Sequence, residues 1–214
     1  TTMVQVENTH NRAGGIIIDQ AEAERICAEA RSRAITSFLD GARLWNVAAA
    51  TGTSVASLAA PFDVAAVALS KGLGAPAGTM LAGPRDVMEA CVRHRRMLGG
   101  AMRQVGILAA AGLYALDHHL DRLADDHANA QALARRLVGV KGCDLDLDTV
   151  QTNIVIMRMA PGAPDAATVV ARAQARGVRV VAFGVRIVRA VTHLDVTHEQ
   201  CVRAADVLAE AIAG

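Results

Sequence analysis

Apolar and polar positions along this chain switch repeatedly between two periods, short strand-like runs and longer helical stretches. Thr2-Met3-Val4-Gln5-Val6-Glu7 alternates as a strand does. It runs into Asn8-Thr9-His10-Asn11-Arg12-Ala13-Gly14-Gly15, a polar loop closed by glycines. Asp19 opens a helix, with Glu22 three residues on completing a capping box. Ala21, Ile26, Ala28 and Ala30, interleaved with Glu, Arg and Gln, mark it as a surface helix. Residues 34–39 form the next strand, ending at Asp40-Gly41-Ala42-Arg43. The order strand–helix–strand predicts a βαβ unit with a right-handed crossover. The uniformly apolar residues 64–69 then suit a strand buried on both faces of a parallel sheet.

The later pattern is more helical. Residues 76–81 read as a strand, and Gly83-Pro84 opens a helix with proline in its first turn. That helix carries Arg93, His94, Arg95 and Arg96 near its C-terminus, a solvated face where positive charge suits the helix dipole. Gly99-Gly100 ends it, and an alanine-rich helix spans residues 102–116. A long amphipathic helix over 120–137 follows, with Leu120, Leu123, Ala130 and Leu137 on one face; His127 there is read as structural. Beyond Gly139 the elements shorten: strands at 152–158, 178–181 and 185–191, a helix at 165–176, and a final helix capped by Thr197. The expected organisation is a large domain over 1–138 and a small α+β domain over 139–214.

Composition narrows the function classes. The 214 residues are 52% apolar, hold five aromatic residues and carry a formal charge of +1. Without basic runs there is no electrostatic case for nucleic acid or an anionic membrane. The longest apolar run, residues 105–116, is too short to span a bilayer. Cys27, Cys91, Cys143 and Cys201 lie far apart with no CxxC pair, which points to neither a metal site nor a disulfide framework. A reducing cytoplasm is the expected compartment.

Candidate chemistry centres on Lys71. A lysine delivered by an apolar strand into the glycine-rich turn Ser70-Lys71-Gly72-Leu73-Gly74-Ala75-Pro76 is costly unless paired or neutral. Burial lowers an amine's pKa, and a neutral amine can form a Schiff base with a carbonyl. The bland alternative is a lysine that reaches solvent where the strand ends. Asp40 follows a strand as well, 31 residues earlier, so both can lie at one sheet edge. It either caps the next turn or faces a cationic ligand atom. Arg43 reaches the same crevice and can bind anionic oxygens. An acid and a lysine at one edge are what a pyridoxal phosphate enzyme requires. In residues 185–191, Arg189 shares a face with Val185, Ile187 and Val191, and Arg186 shares the other with Val188 and Ala190. An arginine amid apolar neighbours needs an anion, either a structural carboxylate or a bound substrate's.

Five blocks, in order, resemble the low-specificity L-threonine aldolases: Asn8-Thr9-His10-Asn11 with Gly14-Gly15, Leu39-Asp40-Gly41-Ala42-Arg43-Leu44-Trp45-Asn46, Ser70 to Pro76, Gly99-Gly100-Ala101-Met102-Arg103-Gln104, and Val188-Arg189-Ala190-Val191-Thr192-His193-Leu194-Asp195-Val196. The resemblance implies an α/β fold of the aspartate-aminotransferase-like type (fold type I), with an incomplete large domain and a small C-terminal α+β domain. It implies pyridoxal 5'-phosphate as cofactor. Lys71 would be the Schiff-base lysine and Asp40 the partner of the pyridine nitrogen. Arg43 would lie near the ring oxygen or the substrate carboxylate, which Arg189 grips. Asn11 and Arg103 are the further cofactor-binding positions, Arg103 near the cofactor phosphate or a subunit boundary. The implied reaction is cleavage of L-threonine or L-allo-threonine to glycine and acetaldehyde by a homodimer or homotetramer.

The chain departs from that family in three respects. Its members are longer at the N-terminus, and that portion supplies much of the phosphate cup and a histidine stacked on the ring. Phe38 stands where histidine is common, and Ala101 where a third glycine is usual. The expectation is therefore either an enzyme of which these residues are a part, or a truncated domain with a structural role. Another pyridoxal phosphate reaction, elimination or racemisation, is the rival chemistry.

Overall fold

The structure, a computed structural model, describes residues 1–214. It divides into two compact units. The first comprises residues 1–9 and 17–123, the second residues 10–16 and 124–214. The sequence placed the boundary at 138/139, at the end of a helix. The compact units part between Leu123 and Ala124, at the first residue of helix Leu123–Leu137, whose Ala130, Leu133, Ala134 and Leu137 are buried in the core of the second unit.

In the first unit, β1 (Met3–Glu7), β2 (Thr36–Gly41), β3 (Val64–Ala68) and β4 (Thr79–Ala82) form one sheet in that order. The first three strands run parallel and β4 is antiparallel to β3. Helix α1 (Gln20–Ser32) makes the crossover between β1 and β2. Of the expected capping box one half forms, Asp19 accepting from the Glu22 N–H at 3.1 Å, while the Glu22 carboxylate is engaged by Arg25. Ala23, Cys27 and Ala30 bury one stripe of it, spaced as helical neighbours are. Helices α2 (Leu44–Thr51) and α3 (Val55–Ala59) lead from β2 to β3. Leu39, Leu44, Val47 and Leu58 form a core on one face of the sheet, with Ala65 and Val67 against it. The opposite positions of β2, Phe38 and Asp40, are half-buried. The expectation that β3 is buried on both faces is corrected here: only Ala68 of its five residues is buried.

Ser37 and Asp63 tie β2 to the start of β3. The Ser37 N–H and hydroxyl donate to Asp63 Oδ2 at 2.8 and 2.9 Å, and the Asp63 N–H donates to Ser37 Oγ at 3.0 Å. These bonds, the backbone one foremost, hold the Asp63 carboxyl below its usual range.

Helix α4 (Arg85–Met97) begins after Pro84, which occupies the cap rather than the first turn. It buries no residue, and Arg93, His94, Arg95 and Arg96 are exposed as expected. Helix α5 spans Gly106–His118, four residues later than the pattern placed its start, because residues 103–105 form a turn with Gln104 at φ 52°.

In the second unit, α6 (Leu123–Leu137) precedes a sheet ordered β5 (Cys143–Asp144), β6 (Ile154–Met159), β8 (Ile187–Val191) and β7 (Val181–Gly184), antiparallel throughout. Helices α7 (Ala166–Ala175) and α8 (His198–Ala213) pack on it. Val155, Met157, Val188, Val169 and Leu208 are fully buried between them. Thr197 and Gln200 form a reciprocal capping box at α8. The strand expected at 178–181 lies at Val181–Gly184, for a local reason. Gly177 (φ 82°) ends α7, and the Val178 N–H bonds back to Ala173 O at 3.0 Å, so Val178 belongs to a Schellman cap. Arg186 sits in the β7–β8 turn rather than in a strand and donates to the carbonyls of Met159, Ala160 and Ala163.

Because the folded-state pKa of Asp63 lies below its unfolded value, its contribution is complete at neutral pH and is lost as pH falls through the folded value. Asp63→Asn should therefore unfold more easily than the parent at pH 7, with the difference shrinking towards pH 3. Urea titrations across that range measure it.

Candidate functional site

The register of three parallel strands brings the first group of residues together. Glu7 pairs with Asp40, and Asp40 with Ala66, so both carboxylates lie at the C-terminal ends of their strands on one face. The Asn8 N–H donates to Asp40 O at 3.0 Å, and Asp40 Oδ1 accepts from the Ala42 N–H at 3.1 Å. Asp40 thus shapes the turn after β2 with one oxygen. Gly41 permits a close approach: a Cβ there would stand 2.7 Å from Ala66 O. Arg43, half-buried, is the cap residue of α2.

Lys71 lies three residues beyond β3. Its turn is closed by Gly74 N–H to Lys71 O (2.9 Å) and Ala75 N–H to Leu69 O (3.0 Å). Leu73 is fully buried beneath it, and Trp45 Nε1 donates to Ala68 O at 3.0 Å. From the end of α5, His119 Nδ1 meets Leu73 O at 2.6 Å. Although Lys71 reaches solvent, partial burial of its amine pushes its pKa below the usual lysine value. The Arg43 guanidinium adds to that, while Asp40 and Glu7 oppose it. Lys71, Asp40 and Arg43 are therefore electrostatic neighbours, as the two strand ends predicted. An amine with a lowered pKa is neutral at lower pH and so is a better nucleophile.

The second unit holds Arg189 and Asn11. Arg189 Nη1 donates to Asn11 Oδ1 at 2.7 Å, and its guanidinium lies 4.4 Å from the centre of the Phe183 ring. Arg12 stacks on the same ring at 5.0 Å. The Nε of Arg189 is buried and makes no hydrogen bond. Such a donor fits an anionic ligand group. The loop that presents Asn11 is pinned by Gly15 N–H to His10 O (2.9 Å) and by the Thr152 hydroxyl to Gly15 O (3.1 Å). Arg103 is exposed in the turn before α5, without a hydrogen bond or ion pair to the other named residues. No three His, Cys, Asp or Glu side chains are grouped to hold a metal ion, and no helix is long and apolar enough to cross a membrane. Sequence reasoning missed Phe183, Glu7 and the His119 tether. Phe183 had a faint signal, as one of five aromatic residues and lying just before Arg189 across a hairpin.

Residues 1–160 match the model of the beta-eliminating lyase family. The chain belongs to the beta-eliminating lyase family. Among members with curated names, the low specificity L-threonine aldolase of Escherichia coli O157:H7 is 39% identical over 200 residues, covering 94% of this chain and 57% of that protein. The chain thus spans little more than half the length of this curated relative. A putative L-allo-threonine aldolase from Listeria monocytogenes EGD-E superimposes with a TM-score of 0.81 at 21% identity, over 99% of this chain and 60% of that one. A threonine aldolase from Leishmania major gives 0.75 at 22%, over 99% and 61%. These likenesses show the fold of this chain, the aspartate-aminotransferase-like type I fold, present in part.

Two substitutions test the centre. Arg43→Gln should raise the pH at which Lys71 becomes reactive towards an amine acylating reagent, and Asp40→Asn should lower it; mass spectrometry of the Lys71 peptide against pH reads both. Gly41→Ala forces its methyl against a backbone oxygen and should cost about 1–3 kcal/mol, measured by denaturant titration.

Proposed function

We propose that this chain carries the cofactor-anchoring lysine of a pyridoxal 5'-phosphate-dependent carbon–carbon lyase. The reaction would split L-threonine or L-allo-threonine into glycine and acetaldehyde. The observation that carries this reading is the lowered pKa of Lys71 beside Asp40 and Arg43 at the ends of parallel strands. The relatives named threonine aldolase support the choice of substrate.

The residues present fit the cofactor. Lys71 supplies an amine whose pKa partial burial lowers, and Asp40 a carboxylate with one oxygen already fixed in the turn. The Thr9 hydroxyl, buried at the end of β1 with no hydrogen-bond partner, adds an unsatisfied polar group. Pyridoxal phosphate, when bound, supplies an electron sink for the bond cleaved at the substrate's α-carbon.

The chain's own residues then have distinct tasks. Lys71 would hold the cofactor and, once released, carry a proton at Nζ. Asp40 would keep the pyridine nitrogen protonated, and Arg43 would bind the ring oxygen or a substrate carboxylate. Arg189 would bind the substrate carboxylate: Asn11 holds Nη1 and Phe183 lies against the guanidinium plane, with the buried Nε left without a hydrogen bond. That arrangement makes Asn11 a positioning residue for Arg189 as well as a cofactor candidate. Arg103 is assigned to the cofactor phosphate or a subunit boundary.

We place the enzyme in the cytoplasm, as a homodimer or homotetramer that forms glycine. Exposed Met97, Leu98 and Ile107, at 67%, 87% and 76%, support subunit association around α4 and α5. Elimination is the second reading, favoured by the family that the chain matches.

The chain has only two lysines, Lys71 and Lys141, which makes the test sharp. After incubation with pyridoxal phosphate, borohydride reduction and digestion, the added mass should appear on the Lys71 peptide and vanish in Lys71→Ala. Label on Lys141 alone, or on neither, overturns the assignment. With L-threonine, glycine and acetaldehyde should appear in equal amounts, whereas 2-oxobutyrate and ammonia would transfer the reading to elimination.

A further inference from the structure

The second unit contains a cleft of about 310 Å³ that the lyase reading does not use. Four segments wall it: the stretch between α7 and β7, the end of β8 with the turn after it, the first turns of α8, and Leu133 of α6. Its floor is apolar. Leu133, Ala190 and Cys201 are buried there, and Val178 and Val180 are half-buried. Its rim is basic, with Arg176, Arg179, Arg203 and His193 against one acid, Asp195.

Pairing within the chain removes part of that charge. Arg176 is engaged by Glu210, and His193 Nδ1 lies 3.2 Å from Asp195 Oδ2. Arg179 and Arg203 have no ion pair and no hydrogen bond, and they come from different elements onto the rim of one cleft. Two unpaired guanidinium groups above an apolar floor match a ligand that has a charge at one end and hydrocarbon at the other. Guanidinium groups bind carboxylate oxygens in pairs, and the floor rewards burial of an apolar body.

We propose that this cleft binds a small carboxylic acid with an apolar body, its carboxylate held by Arg179 and Arg203. A cleft of that size admits a branched or aromatic short-chain acid. The cleft is formed by the Schellman cap of α7, since Gly177 turns the chain so that Val178 faces inward while Arg176 and Arg179 stay at the rim. This site does not depend on the assignment of Lys71.

The test is a titration of the ¹⁵N-labelled full chain, at constant ionic strength, with isovalerate, acetate and inorganic phosphate in separate arms. Isovalerate should give saturable shifts at Val178, Val180, Ala190 and Cys201, and bind at least tenfold more tightly than acetate or phosphate. The double variant Arg179→Gln, Arg203→Gln should weaken isovalerate at least tenfold without a change in Tm. Absence of saturable shifts at these residues overturns the proposal. So do shifts centred on Asn11 and Arg189 instead, unaltered affinity in the double variant, or phosphate binding as tightly as isovalerate.

Discussion

The parallel pairing of β1, β2 and β3 is the constraint on which the candidate centre depends. Parallel strands end on the same side, so whatever follows each strand gathers at one edge. Here that edge receives Glu7, Asp40 with Arg43, and Lys71. None of these residues needs to be close to another in the chain. The balance of charge at the edge then governs the lysine. Partial burial and Arg43 disfavour its ammonium form, and the two carboxylates restrain the shift. An amine poised this way is more available for covalent chemistry than a solvated one, yet it remains held near anions that favour its protonated form.

The second unit handles charge differently. Arg189 is held by an amide oxygen and an aromatic face, neither of which neutralises it. A carboxylate in Asn11's place would have satisfied the guanidinium within the protein. With an amide it is oriented and still cationic. Arg186, three residues earlier in the β7–β8 turn, is spent on three backbone carbonyls that close the loop after β6. Two arginines in one short stretch thus differ: one stays cationic beside an amide and a ring, the other closes a loop, and their partners distinguish them.

Much of this was legible in the sequence, for identifiable reasons. Asp19 and Thr197 announced their helices because caps are local chemistry, and residues 64–69 marked a strand by their apolar run, whereas the strand read at 34–39 lies two residues later, at Thr36–Gly41. Lys71 near Asp40 was legible because the one follows, and the other ends, strands that the βαβ order makes parallel. What was illegible depended on particular three-dimensional neighbours. The half-exposed face of β3 could not be read from a uniformly apolar run. Val178 was absorbed into a cap because the chain turns at Gly177. Phe183 reaches Arg189 only across a hairpin, and His119 finds Leu73 O across 46 positions.

The Ser37–Asp63 clamp has a consequence for how variants of this protein are understood. Strand side chains alternate in direction, so a slip of one residue between β2 and β3 would exchange the faces of every position downstream. The clamp sits where β3 begins and fastens it to one partner in β2 through both backbone and hydroxyl. Lys71 is eight positions further on, so its aim is decided at the opposite end of the strand. A Ser37 or Asp63 variant that loses turnover would be reporting misalignment of the sheet, although neither side chain takes part in the chemistry.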